Sequence, residues 1–138
     1  MPTRVSFEYA VIRVVPQPER GEFINAGVIV FSLSKKFLEA RVQLDLVRLR
    51  ALFPEADTGT IQEHLEAFPK VCAGVHDAGP IAQLSLRERF HWLVAPRSTM
   101  IQISPVHTGL CESPEAALTA LFQQLVECPR AFVRPQTR

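Results

Sequence analysis

From Phe7 to Val15 the odd positions Phe7, Tyr9, Val11 and Val15 are apolar, and so are Ala10, Ile12 and Val14 between them. Apolar residues on both parities predict a strand covered on both faces. Arg13 alone breaks the odd face, and Pro16 and Pro18, which cannot donate to a ladder, close the strand. Ala26 to Leu33 predicts a second strand of the same kind, with Val28 and Val30 on one parity and Ile29 and Phe31 on the other. After the turn sequence SLSKK, Phe37 to Leu44 alternates cleanly: Leu38, Ala40, Val42 and Leu44 on one side, Glu39, Arg41 and Gln43 on the other. That pattern predicts a third, half-solvated strand and an antiparallel meander.

Helical periods follow. Asp45 is placed to cap a short helix with Leu46, Leu49, Leu52 and Phe53 on one stripe, stopped at Pro54. Thr60 and Glu63 have capping-box spacing ahead of Ile61, Leu65, Phe68 and Cys72, with Pro69 expected to kink or divide that helix. Ser85 and Glu88 repeat the capping box before LRERFHWLVA, which ends ahead of Pro96. Met100 to Ser104 is β-rich and predicts a fourth strand. Ser113, Pro114 and Glu115 then read as N-cap, first-turn proline and acidic first turn of a closing helix with Leu118, Leu121, Phe122, Leu125 and Val126 on its face.

The expected fold is therefore α+β: an antiparallel sheet of about four strands, three from the meander and one late, packed against three to four helices as a two-layer sandwich. Residues 1–128 are expected to form one domain and 129–138 a mobile basic tail.

The composition is that of a folded chain. Of 138 residues, 47% are hydrophobic and 21% charged, far from the signature of disorder. A formal net charge of +1 provides no field for holding a polyanion or an acidic membrane, so nucleic acid is not indicated. The longest apolar run, Ala26 to Phe31, is too short to cross a bilayer, and the N-terminus lacks a signal-peptide pattern. The three cysteines, Cys72, Cys111 and Cys128, form no CxxC, and an odd count predicts free thiols in a reducing cytoplasm. Oligomeric state is not legible.

Candidate chemistry centres on RGEFINAGVIVF, residues 20–31. Arg13 shares a parity with Phe7, Tyr9 and Val11, where a guanidinium needs a partner, and Glu22 across the loop is the expected carboxylate. In a structural role, such a pair holds the connection in shape. Gly21 suits a turn there, and Gly27 a close backbone approach. In a functional role, Arg13 or Arg20 presents a planar donor fork to a phosphate or carboxylate, with Glu22 and Asn25 orienting it or moving protons. His107, in SPVHTG with Thr108 and Gly109, reads as a loop residue after the fourth strand, able to change charge near neutral pH.

Other constellations are weaker. Cys72 with His76 and His107 with Cys111 share a spacing that would supply a Cys2His2 zinc set, but the gap between the pairs is long and Cys72 lies on an apolar stripe. No metal or other cofactor is therefore expected. Trp92 and Phe90 beside Arg87, Arg89 and His91 have the composition of a nucleic-acid surface, yet Phe90 and Leu93 at helical spacing are more simply core. The phosphate-loop, nucleophile-elbow, HExxH and paired-Asp motifs are all missing, which leaves most familiar enzyme classes without support and the question of catalysis open.

At YAVIRVVPQPERGEFINAGVIVF, and again at SPVHTG with the leucine-rich closing helix, the chain resembles a bacterial family known as domain of unknown function 3037. The family's recurrent polar positions in the first piece fall on Arg13, Arg20, Glu22, Asn25 and Gly27, and those in the second on His107 and Gly109. The resemblance implies no established reaction. It implies a protein partner, since members are often encoded beside a protein similar to the HipA-type kinases. The leading expectation is thus a cytoplasmic binding or regulatory module. The alternative is an enzyme or a phosphate-ligand or nucleic-acid binder whose Arg13, Arg20, Glu22, Asn25 and His107 side chains converge in one cleft.

Overall fold

The computed structural model describes residues 3–97 and 99–127. Five strands, β1 (Val5–Val14), β2 (Ile24–Ser32), β3 (Phe37–Val42), β4 (Ile101–Ile103) and β5 (His107–Cys111), form one open antiparallel sheet. The order is β3-β2-β1, with β4 and β5 both along the free edge of β1. Four helices, α1 (Leu46–Leu52), α2 (Thr58–Ala73), α3 (Leu86–Leu93) and α4 (Pro114–Leu125), complete an α+β fold.

The helices divide between the two faces of the sheet, so the arrangement has three layers, where a two-layer sandwich was expected. On one face Ile12, Val14, Ile29 and Phe31 pack with Leu49 of α1, Leu65 of α2 and Phe90 of α3, and the rings of Phe31 and Phe90 stack 4.8 Å apart. On the other, Phe7, Val28 and Val30 meet Leu118, Phe122 and Val126 along α4. The physical reason lies in β1 and β2: apolar on both parities, they leave an uncovered hydrophobic face unless one helix crosses over. β3 is correspondingly less solvated than its alternation suggested, because Arg41 donates to Thr119 Oγ1 of α4 at 3.2 Å.

The fifth strand was not foreseen, since HTGLC carries no alternating apolar pattern. Its pairing comes from β1, where Val5 to Tyr9 face Cys111 to His107. β4 and β5 are in effect one edge broken at Pro105, which has no N–H to give. Ser104 bridges the break: its N–H donates to Val11 O at 2.9 Å and its buried hydroxyl accepts from Val11 N–H at 2.8 Å. Gly109 sits over Phe7, whose nearest ring atom would lie 2.9 Å from an added Cβ.

Caps follow local chemistry. Asp45 caps α1 by accepting from Arg48 N–H, and Ser85 and Glu88 form the full capping box of α3. Ser113 caps α4 with Pro114 in its first turn. α2 departs from expectation: its cap is Asp57, which accepts from Thr60 N–H at 3.1 Å and Thr60 Oγ1 at 2.7 Å, so the helix starts before the Thr60–Glu63 box. A carboxylate three residues upstream satisfies the same orphan donors first. Pro69 does not divide α2, which continues to Ala73 and ends at Gly74. The basic tail at 129–138, and Cys128, lie outside the described residues.

Candidate functional site

The β1–β2 connection is built around a β-bulge. Ile12 pairs with Gly27 and Arg13 with Asn25, leaving Ala26 as the extra residue of β2. The insertion reverses the parity of β2, turning Asn25 onto the α4 face beside Arg13 and Ala26 into the opposite core. Asn25 Nδ2 then donates to Leu125 O of α4 at 2.9 Å. Gly27 is required where the strands crowd: an added Cβ would stand 2.9 Å from each of Arg41 O, Ile12 Cδ1 and Val42 Cγ1. Gly21 turns the connection with a φ of +73°.

The charged groups pair differently from expectation. Glu22 accepts from Arg20 Nε at 2.7 Å in an exposed ion pair. The carboxylate hydrogen bond raises the Arg20 pKa, and its charge acts in the same direction. Arg13 instead lies 4.3 Å above the ring of Phe23. Two residues sufficed to close the Arg20–Glu22 pair locally, and the ring of Phe23 offers the guanidinium a cation–π face. Arg13 Nε and Asn25 Oδ1 are buried with no hydrogen-bond partner among the described residues. Phe23 is 44% exposed, a large apolar ring at the surface that composition alone gave no reason to single out.

The five polar candidates do not share one cleft. Arg20 and Glu22 reach toward Leu52 at the end of α1, and the crevice they form with Pro16 and Gln17 leaves no room for a water-sized ligand. Asn25 reaches Leu125 of α4, with its strand partner Arg13 beside it and Phe23 against the Arg13 guanidinium. His107 pairs with Tyr9, its ring 5.2 Å from that of Tyr9. Tyr9 and Arg13 are four residues apart in β1, which separates His107 from the Arg13 patch by about 13 Å along the strand. His107 is thus an exposed residue within β5 and not a loop residue after β4.

The remaining constellations also resolve. Cys72 is buried in the core of α2, where desolvation pushes its thiol up to about 12, whereas Cys111 packs against the α4 face of the sheet. Both are free thiols. Among the described residues, no group of three or more His, Cys, Asp or Glu side chains is placed to hold a metal ion. Arg89 spends its Nη1 on the Val71 and Cys72 carbonyls at the end of α2, and Phe90 and Leu93 are core. No helix among the described residues is long and apolar enough to cross a membrane.

Fold and site together define an α+β protein with an open antiparallel sheet covered by helices on both faces and a polar and aromatic surface patch at its β1–β2 connection. The chain belongs to the family described as protein of unknown function (DUF3037), whose family model matches residues 9–126. No curated protein and no solved structure matches it.

Proposed function

We propose that this protein is a cytoplasmic binding or regulatory module that engages a protein partner, a HipA-like kinase being the candidate, through the patch formed by Arg13, Phe23 and Asn25 with the neighbouring Arg20–Glu22 pair. The observation that carries the reading is Phe23, half-exposed and fixed from one side by the Arg13 guanidinium. An aromatic anchor braced by arginine, already ordered before contact, is the side-chain combination that dominates protein–protein binding energy. The closed crevice beside Arg20 favours a contact surface over a substrate site.

The test is calorimetric titration of a purified HipA-like kinase from the same host with wild type, Phe23→Ala and Arg20→Ala/Glu22→Ala, each variant's melting temperature being measured in parallel. The expected outcome is a complex with the wild type that weakens about 30-fold in Phe23→Ala, equivalent to about 2 kcal/mol, and is weaker still or lost in the double variant, with melting nearly unchanged. No complex with the wild type, or undiminished affinity in both stable variants, overturns the proposal.

A further inference from the structure

On the opposite face of the sheet from the Arg13 patch, a cavity of about 250 Å³ opens between α2, α3 and the entry to β4, lined by Phe68, Val71, Trp92, Leu93, Arg97 and Ile101. The Arg97 guanidinium lies 5.5 Å from the ring centre of Phe68 and 5.2 Å from that of Trp92. Its Nη1 donates to Leu93 O at 2.6 Å and Ala95 O at 3.4 Å, and its Nη2 to Trp92 O at 3.3 Å. These bonds cap the last carbonyls of α3 and fix the group in place. They leave Nε–H and part of Nη2 without an acceptor among the described residues, and no carboxylate there lies within ion-pairing distance. Burial lowers the pKa of this guanidinium, but an arginine remains charged throughout the working range.

A held, partly desolvated cation in a mainly apolar cavity is complementary to an anion that carries its own apolar body. A dry cavity of about 150 Å³ is enough for a benzene ring, so this one accommodates a ring with a short carboxylate arm. Phe68 and Trp92 offer aromatic faces to such a ring. We propose that the cavity binds a small aromatic monocarboxylate, the ring against Phe68, Trp92 and Ile101 and the carboxylate on Arg97. Nothing in this site depends on the β1–β2 connection.

Trp92 is the only tryptophan of the chain, so its emission reports on the cavity directly. The full chain is titrated with 3-phenylpropionate and, as the neutral counterpart of the same shape, with 3-phenylpropan-1-ol. Ala67→Phe serves as a blocked variant, because Ala67 is an exposed α2 residue on the cavity lining and a larger side chain there fills the space without entering the core. The expected result is a saturable emission change with the acid by roughly 1 mM, at least ten-fold weaker binding of the alcohol, and loss of the response in Ala67→Phe with its melting temperature preserved. Arg97→Lys, which keeps the charge but loses the fork, is expected to bind several-fold more weakly. Absence of saturation, equal binding of acid and alcohol, or an unchanged response in folded Ala67→Phe each overturns the proposal. The alcohol comparison tests the charge even if Arg97→Lys disturbs the end of α3.

Discussion

Gly27 shows how tightly a single residue can fix this fold. Three atoms from the two flanking strands, Ile12 of β1 and Arg41 and Val42 of β3, one of them the backbone carbonyl of Arg41, converge where its Cβ would be. The carbonyl cannot move without breaking the β2–β3 ladder, so Gly27→Ala is expected to destabilise by about 1–3 kcal/mol through overpacking. The check is a lower denaturant midpoint at unchanged slope. The sequence marked this position as a close approach, and its neighbour Gly21 as a turn. It misassigned Arg13, because a buried-side guanidinium was given the nearest unclaimed carboxylate, whereas Glu22 was already satisfied by Arg20 two residues away. Sequence lists charges but not the ring face that Phe23 supplies.

At the scale of elements, capping was largely legible, since it depends on residues a few positions apart. α1, α3 and α4 begin where Asp45, Ser85 and Ser113 place them. α2 began earlier than its Thr60–Glu63 spacing suggested because Asp57 takes both donors of Thr60. The hydroxyl hydrogen bond first, and the backbone hydrogen bond second, hold the Asp57 carboxyl below its ordinary value of 3.8. A folded pKa below the unfolded one means that the stabilisation is complete above the unfolded value and is lost as pH falls through the folded value. Asp57→Asn keeps a capping oxygen but removes the titration. Wild type is therefore expected to lose stability more steeply than the variant between about pH 5 and about pH 2, as followed by thermal melts. Parallel curves would contradict this. β5 escaped notice for the converse reason: its pairing is dictated by the backbone of a distant strand and leaves almost no mark on its own side chains.

Across the whole molecule, stability rests on two cores separated by the sheet. Among the described residues, α4 and Val126 just after it cover the Val28–Val30 face, with Phe122 in that cluster. Phe122→Ala is expected to cost about 3–5 kcal/mol, measured by chemical denaturation, and to expose the α4 face to a hydrophobic dye before the rest of the chain unfolds. An unchanged midpoint would show that α4 is not holding that layer. The two-sided apolarity of β1 and β2 already demanded cover on both faces; the inference of a two-layer sandwich ignored it in favour of element order.

The sequence by itself determined what local period and local hydrogen-bonding chemistry can encode: the three-stranded meander, four helices, most of their caps and an α+β class. Tertiary structure alone decided what depends on distant backbone and on register. It moved one helix to the far side of the sheet and recruited β5 to the edge of β1. One extra residue at Ala26 turned Asn25 to face Arg13, because a single bulge reverses every side chain beyond it. It also assembled the open cavity beside Arg97 from segments whose separate patterns read only as core and cap.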